Sequence, residues 1–172
     1  MRHIISILVE NKPGALSRIS GLFSGRGYNI ESLSVGVTND PKVSIMTIVT
    51  KGDDKIVEQI IKQLRKLINT LKVRDVTQIE HIEREMFLIK VQALPKYRSD
   101  IFNIVNTFRA KVVDLTGESM VIEITGTKDK NQAFIKVLEP YGLIELVRTG
   151  SVAIGRGNKA TTDFTKQDTK QI

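Results

Sequence analysis

Two kinds of hydrophobic periodicity alternate along this chain, and their order constrains the fold more than any single motif does. In the first half, patterns typical of strands and helices follow one another as strand, helix, strand, strand, helix, strand. The predicted bounds are 3–10, 14–25, 28–38, 42–51, 54–69 and 72–81. Asn39-Asp40-Pro41 predicts a turn between the middle strands, and Asp53 or Asp54 can cap the second helix.

The second half repeats this order. Its predicted strands are 86–93, 111–116, 119–127 and 143–148. Apolar stripes predict two helices, one through Ile101, Ile104, Val105 and Phe108 and one through Phe134, Val137, Leu138 and Tyr141. Ser99 or Asp100 can cap the first of these helices, and Pro140 with Gly142 ends the second.

Strand–helix–strand, repeated with right-handed crossovers, gives a four-stranded antiparallel sheet with two helices on one face. The chain is therefore predicted to be α+β, with two consecutive ferredoxin-like βαββαβ domains. The predicted domains are 1–78 and 79–157, and the polar residues 158–172 are predicted to be a flexible tail. Each sheet has one uncovered face and open edges, so pairing of two chains in a symmetric dimer is expected.

Composition narrows the functional classes. Of the 172 residues, 26 are Lys or Arg and 19 are Asp or Glu, and this excess of +7 is spread along the chain. A diffuse charge of this kind does not predict a nucleic-acid partner. Cysteine is absent, which excludes disulfides and thiolate metal sites. No apolar run approaches the roughly 20 residues that cross a bilayer, and no signal pattern is present, so we expect an intracellular protein with no membrane partner.

No motif for catalysis is recognisable. The two histidines, His3 and His81, are 78 positions apart and lie within strand patterns. A nucleophile elbow, a zinc-binding HExxH helix and a GxxxxGK[ST] phosphate loop are all missing. We expect no catalytic, metal-binding or cofactor-binding residues in this chain. An active site assembled from distant residues is the alternative to a binding function.

One turn is suited to ligand binding. The β-branched run from Ile4 to Val9 ends at Asn11-Lys12-Pro13-Gly14, and a helix begins near Gly14 or Ala15. A glycine at a helix N-terminus leaves unpaired backbone N–H groups uncovered by a Cβ, at the positive end of the helix dipole. That geometry suits a small carboxylate or phosphate. The alternative is a plain strand–turn–helix connection that binds nothing.

Three segments in order resemble one known family: ENKPGALSRISGLFSGRGYNIESL, VSIMTIV and EREMFLIKV. The first resembles the ligand loop of an ACT domain, and residues 1 to about 157 resemble the regulatory (small) subunit of acetolactate synthase, also called acetohydroxyacid synthase. The resemblance implies a homodimeric, non-catalytic subunit with an N-terminal ACT domain. It implies feedback inhibition by valine, leucine or isoleucine in branched-chain amino acid biosynthesis.

The resemblance also implies a large catalytic subunit as partner, which the small subunit activates. That partner is expected to carry thiamine diphosphate, magnesium and FAD, and no cofactor is expected in this chain. The implied location is the bacterial cytoplasm, or a plastid if an organelle encodes the chain.

In this family the effector binds where two ACT domains meet. Carried onto this sequence, its contacts are Asn11, Gly14, Ala15 and Leu16 from one chain and Asn29 and Ile30 from the other. Backbone N–H groups from Gly14 to Leu16 are expected to hold the effector carboxylate, and Ile30 with Leu16 to contact a branched aliphatic side chain. An Asx turn at Asn11 and a simple turn residue at Asn29 are the structural alternatives.

One position departs from the family pattern. Relatives commonly have Ser-Arg in the third strand, whereas this chain has Ser44-Ile45, so a cation that could order a subunit interface is missing. Two other functions remain open. One is an ACT-type regulator of another enzyme or of transcription, although no helix-turn-helix is evident. The other is a ferredoxin-like RNA binder, which the 5% aromatic content and aliphatic central strands disfavour.

Overall fold

The computed structural model describes residues 1–158 and 161. Its elements in chain order are β1 (Arg2–Glu10), α1 (Ala15–Ser24), β2 (Ile30–Val37), β3 (Val43–Lys51), α2 (Asp54–Leu64), β4 (Thr70–Asp75), β5 (His81–Gln92), α3 (Arg98–Thr107), β6 (Lys111–Leu115), β7 (Ser119–Gly126), α4 (Lys128–Leu138), β8 (Leu143–Arg148) and β9 (Val152–Gly155). The described chain forms two compact units, one of Met1–Ile82 with residues 151–158 and 161, the other of Glu83–Gly150. The predicted α+β class with two ferredoxin-like units is confirmed. The predicted tail lies outside the described residues, apart from Asn158 and Thr161.

The first unit is built on an antiparallel sheet in the strand order β2-β3-β1-β4. β1 is central, and its alternate residues Ile5, Ile7 and Val9 are almost fully buried. They form one core cluster with Ile19 and Phe23 of α1 and with the apolar stripe of α2. Alternation with a period of two along the strand therefore turns one row of β1 toward both helices.

The two helices of this unit begin in different ways. The Asp53 carboxylate accepts a hydrogen bond of 2.7 Å from the Ile56 N–H, which confirms the predicted cap of α2. α1 begins after Gly14, and no side chain caps it. The first helix therefore exposes backbone groups that the second helix satisfies internally.

α2 is shorter than predicted, because it ends at Leu64 and not at residue 69. Turn-type bonds follow, from the Leu67 N–H to the Leu64 C=O and from the Thr70 N–H to the Leu67 C=O. Leu67 packs on the core from this turn, whereas Ile68 is 83% exposed. The apolar stripe predicted too long a helix, because Leu67 packs on the same core from a turn that is not helical.

The unit boundaries differ from the predicted domains. The division falls after Ile82 rather than residue 78, and residues 151–157 belong to the first unit. β9 causes the difference, since Ala153 packs with Ile4 and Val49 on the side of the sheet away from the main core. The Ser151 N–H also donates to the Ser32 hydroxyl of β2, at 2.7 Å. No periodicity identified so short a strand.

The second unit has the equivalent antiparallel order, β6-β7-β5-β8. Phe87, Ile89 and Val91 of β5 pack against α3 and α4 in a second core. The predicted caps of α3 are wrong. The helix starts at Arg98 without a side-chain cap, because a 3-10 turn at Pro95–Tyr97 leads directly into it.

Candidate functional site

The N-terminus of α1 is open to solvent. Gly14 has φ +85° and ψ −8°, in the left-handed region that favours glycine. Apart from its two chain neighbours, no atom of the described residues would lie within 4 Å of a Cβ at this position, so the space beside Gly14 is open. The first turn of the helix contains no acidic residue. The positive end of the helix dipole is thus without a counter-charge from its own sequence.

Three backbone N–H groups at this turn are available to a ligand. The Ala15 N–H donates to the Lys12 C=O at 3.3 Å. The amides of Gly14, Leu16 and Ser17 donate to no backbone acceptor in the part of the chain that the structure describes. The set differs from the predicted one, because Ala15 is engaged and Ser17 is added. The rule that the first turn leaves its amides unpaired could have identified Ser17.

Asn11 fixes the start of the loop. Its backbone N–H donates to the Lys42 C=O at 2.7 Å, and its side-chain Nδ2 donates to the Pro41 C=O at 2.9 Å. Both acceptors lie in the turn between β2 and β3. The Asn11 carboxamide thus joins the loop to the β2–β3 turn. It does not form the Asx turn given as the alternative, and its Nδ2 is already used and is not free to contact a ligand. Its Oδ1 remains the atom that a ligand ammonium group can use.

Ala15 and Leu16 contribute different chemistry. The Ala15 side chain is 5% exposed and belongs to the buried face of α1. Leu16 is 43% exposed and places an apolar surface beside the open amides. A ligand with one carboxylate and one aliphatic group matches this pair of features.

Asn29 and Ile30 lie at the other end of the same sheet. Glu10 pairs with Val43 on β3, whereas Ile30 pairs with Thr50, seven residues further along that strand. At about 3.3 Å per residue, this separation is roughly 23 Å. The Asn29 C=O accepts a bond of 2.7 Å from the Thr50 hydroxyl. One chain therefore does not bring the six predicted contacts together.

A network of polar side chains connects the loop before α1 to Asn69 and Arg18. The Asn69 Nδ2 donates to the Glu10 carboxylate at 2.9 Å, and the Lys12 ammonium lies 3.1 Å from the same carboxylate. The hydrogen bond from Asn69 and then that from Lys12 hold the pKa of Glu10 below its ordinary value. Arg18 donates to the Asn69 Oδ1. The loop is consequently connected through Asn69 to the side of α1.

The two histidines lie in β1 and β5. His3 is 2% exposed, with its Nε2 3.5 Å from Asp54 and its Nδ1 3.7 Å from Asp75. The His81 Nδ1 lies 2.8 Å from the Ile79 C=O. Among the described residues, no group of three or more His, Cys, Asp or Glu side chains is arranged to hold a metal ion. In the same residues, no helix has the length and apolar character needed to span a membrane.

Ile45 lies on the side of the first sheet away from the helices. It is half-buried and lines a cavity of about 310 Å³, together with Val35 of β2 and with Val152 and Ile154 of β9. The lining is largely aliphatic. An apolar residue at this position therefore lines the same cavity as the apolar side chains of β9.

Comparison with known proteins gives one consistent result. Residues 5–72 match the family model described as an AHAS small subunit-like ACT domain, and residues 84–157 match the model described as the small subunit of acetolactate synthase. The probable acetolactate synthase small subunit of Archaeoglobus fulgidus is 55% identical over 92% of this chain and 99% of its own length. The acetolactate synthase small subunit of Aquifex aeolicus is 49% identical over 90% of this chain and 81% of its own.

The crystal structure of the acetolactate synthase small subunit from Thermotoga maritima has the same fold. Its TM-score is 0.85 at 42% sequence identity, and the alignment covers 92% of this chain and 99% of that one. Both units are therefore shared with a solved structure.

Proposed function

The chain belongs to the family of acetolactate synthase small subunits, and from this premise we propose that it regulates a separate catalytic subunit in response to a branched-chain amino acid. The observation that carries the proposal is the open first turn of α1, where Gly14 leaves backbone amides accessible. The chain raises the activity of the catalytic subunit, and the bound amino acid lowers it. Thiamine diphosphate, magnesium and FAD belong, in this proposal, to the catalytic subunit.

The effector carboxylate binds the amides of Gly14, Leu16 and Ser17. These donors lie at the positive end of the helix dipole, and no acidic residue of the first turn competes with a carboxylate there. The Asn11 Oδ1 accepts a hydrogen bond from the effector ammonium group. The exposed Leu16 side chain contacts the aliphatic part.

A second copy of the chain completes the site. Asn29 and Ile30 are about 23 Å from the loop within one chain by strand register, so they reach an effector only from a partner. β2 is an edge strand of the first sheet, and its Val35 and Val37 are 44% and 57% exposed. An exposed apolar edge strand favours pairing with another chain.

Regulation then follows from linkage. An effector that inhibits the complex must bind its two functional states unequally, and the catalytic subunit must change effector affinity by the same factor. Valine, leucine and isoleucine differ by single methylene or methyl groups, which discriminate by only about 1–3 kcal/mol. We therefore propose the class and leave the order of the three effectors to measurement.

Calorimetry on the unmodified protein tests the effector. We expect binding heat with at least one of L-valine, L-leucine and L-isoleucine, and no binding of L-valinamide, which keeps the ammonium group and side chain but lacks the carboxylate. Equal affinity for valinamide would contradict the role of the helix amides. No heat from any of the three amino acids would contradict the effector proposal altogether.

An activity titration tests the regulatory role. The chain is added to a purified acetolactate synthase catalytic subunit from the same source. We expect acetolactate formation to rise to a plateau, and the amino acid that binds most tightly to lower that plateau. An unchanged rate at every ratio of the two chains would contradict regulation of this enzyme.

A further inference from the structure

A positively charged groove lies on the helical face of the first unit, between α1 and α2. We name it the α1–α2 groove; its volume is about 420 Å³, and it is lined by Arg18, Gly21, Leu22, Gly25, Arg26, Gln63, Lys66 and Leu67. Three lining residues are cationic, none is acidic, and all three cations are exposed. The effector loop does not use this surface.

The cations that line the groove have no carboxylate among the lining residues. Of the six Lys and Arg in residues 11–29 and 59–69, Lys12 pairs with Glu10 and Lys62 with Glu58, and neither of these two cations lines the groove. Among the described residues, neither Arg26 nor Lys66 forms an ion pair with a carboxylate. Arg18 has a neutral partner, the Asn69 side chain. A concave surface with one sign of charge attracts a partner of the opposite sign.

The floor of the groove allows close approach. Gly21 and Gly25 are one helical turn apart and line the same groove. A Cβ placed at Gly21 meets nothing within 4 Å. The backbone of a partner can therefore lie close to α1 while its side chains reach the cations at the rim.

The size of the groove and the number of its cations indicate the size of the occupant. Arg18, Arg26 and Lys66 line one groove of about 420 Å³, which is more space than a single small anion fills. An extended segment that carries several carboxylates can occupy this space and pair with all three cations. The lining contains no aromatic side chain, and the stacking used to hold single-stranded nucleic acid is therefore missing.

The groove is also connected to the effector loop. Arg18 donates to the Asn69 Oδ1, and the Asn69 Nδ2 donates to Glu10, the residue before Asn11. A partner that contacts Arg18 is two hydrogen bonds from the loop. Under the proposed function, the catalytic subunit is the protein whose activity responds to the effector. A connection between the groove and the effector loop therefore favours the catalytic subunit as the occupant.

We propose that the α1–α2 groove docks an extended, acidic segment of the catalytic subunit. The identity of the partner rests on the proposed function, whereas the acidic chemistry rests on the groove itself. Carboxylates of the segment pair with Arg18, Arg26 and Lys66, and its backbone lies over Gly21 and Gly25.

Gly21 offers a matched pair of variants. Gly21→Glu places a carboxylate in the groove, and Gly21→Gln places a side chain of nearly the same size without the charge. Both fit the open space, and both replace a helical glycine by a better helix former, so folding is retained. Arg26→Glu, compared with Arg26→Gln, tests in the same way whether a negative charge at the edge of the groove weakens binding of the catalytic subunit. The dissociation constant for the catalytic subunit is measured at about 0.15 M salt, where surface charges still act.

We expect Gly21→Glu and Arg26→Glu to raise this dissociation constant at least about tenfold, and the Gln variants to raise it no more than about threefold. Calorimetry with valine on the isolated variants should match the unmodified chain. Equal dissociation constants for the unmodified chain and both Glu variants overturn the proposal, as does equal weakening by Glu and Gln at both positions. If a single-stranded oligonucleotide binds more tightly than the catalytic subunit and Gly21→Glu abolishes this binding, nucleic acid is the occupant and the proposal is overturned.

The proposed function can fail separately. If the unmodified chain binds the catalytic subunit but no branched-chain amino acid, the effector proposal fails and the groove result stands. If the unmodified chain does not bind the catalytic subunit, the proposed function and the docking proposal are both overturned.

Discussion

In both units, the strand that leads into the first helix is tied to the turn of the neighbouring hairpin. In the first unit the Asn11 N–H donates to the Lys42 C=O at 2.7 Å, and in the second the Ala93 N–H donates to the Glu118 C=O at 2.8 Å. A side chain adds a second tie in each case. Asn11 Nδ2 reaches the Pro41 C=O, and Arg98 Nη2 reaches the Thr116 C=O. The two connections therefore share one backbone plan.

The two units differ in what occupies the space beside the helix. In the second unit, the Arg98 guanidinium also donates to the C=O groups of Ala93 and Gly117, so a long cationic side chain closes the loop. In the first unit, Gly14 precedes the helix, and beyond its chain neighbours no atom in the described part of the chain would lie within 4 Å of a Cβ there. The shared fold therefore does not by itself leave helix amides open. The first loop leaves them uncovered because of its sequence, and our proposed effector site depends on this difference.

The largest effect is expected at Gly14. Gly14→Asp places a carboxylate where the effector carboxylate is proposed to bind, and we expect valine affinity to fall by at least about 100-fold, or roughly 2.7 kcal/mol. Isothermal titration calorimetry measures the change, and circular dichroism checks the fold. An unchanged affinity would contradict the site assignment.

Gly14→Asn is the matched control for this change. Asn has nearly the same size, and both Asn and Asp tolerate a positive φ better than other non-glycine residues do. Because the Asn side chain is uncharged, we expect a smaller loss than with Asp. Equal losses would mean that steric blockage, rather than competition for the amides, explains the effect.

The connection before α3 allows the opposite test, in which a side chain that closes the loop is removed. Arg98→Ala removes three hydrogen bonds from a charged donor to backbone carbonyls. Since Arg98 is only half-buried and water can replace part of this bonding, we expect the second unit to lose about 2 kcal/mol of stability. Hydrogen exchange of β5 and β7 amides reports on that unit separately.

Arg98→Lys keeps the charge but cannot reproduce the planar fork of donors, so most of the loss should remain. Valine affinity should be unchanged in both variants. A valine affinity that changed with Arg98 would break the distinction between the two loops.

The order of strands and helices that both units share was predicted well from the sequence. The difference between the connection before α1 and the connection before α3 was predicted only in part. Strand and helix order followed from periodicity, and the open helix start at Gly14 followed from its place before an apolar stripe. Arg98 gave no such signal, because an arginine at the start of a helix resembles any exposed cation until the carbonyls around it are known. Ser151 was missed for the same reason, since its bond to Ser32 joins residues 119 positions apart.

The predicted effector contacts show the same limit. Asn11, Gly14 and Leu16 lie at one turn, as local sequence can indicate. The partner side chains Asn29 and Ile30 came only from the family resemblance, because no periodicity within one chain encodes contacts made by two. Their role remains a prediction.

A smaller effect, on the stability of the first unit, is expected when the side-chain cap of α2 is removed. Asp53→Ala removes the side-chain acceptor for the Ile56 N–H, so the free energy of unfolding should fall by about 1 kcal/mol. Chemical denaturation monitored by circular dichroism measures it. Asp53→Asn should be nearly neutral, because Asn caps as well as Asp. If Asp53→Ala changed valine affinity as much as Gly14→Asp does, the contrast between an open and a closed helix start would be wrong.

The smallest effect concerns Glu10, which supports the open loop. The Asn69 hydrogen bond, followed by that of Lys12, lowers the pKa of Glu10 in the folded chain. A lowered carboxyl pKa gives stability that is present above the unfolded-state value, about 4.3 for Glu. That stability is lost as pH falls through the lower folded value. The unmodified chain should thus lose slightly more stability than Glu10→Gln between neutral pH and acid.

Glu58 provides an internal comparison for this last prediction. Its pKa is also lowered, but through Lys62, which lies four residues further along the same helix with its Nζ 2.8 Å from the carboxylate, and not through Asn69. Asn69→Ala should therefore raise the pKa of Glu10 and leave that of Glu58 unchanged, as followed by carboxyl carbon chemical shifts during an NMR titration. If the two pKa values moved together, a general change in the charge of the helical face would explain the shift at Glu10. If only Glu10 responds, the link from Arg18 through Asn69 to the loop is specific, and the first unit has a polar support beneath its open helix start.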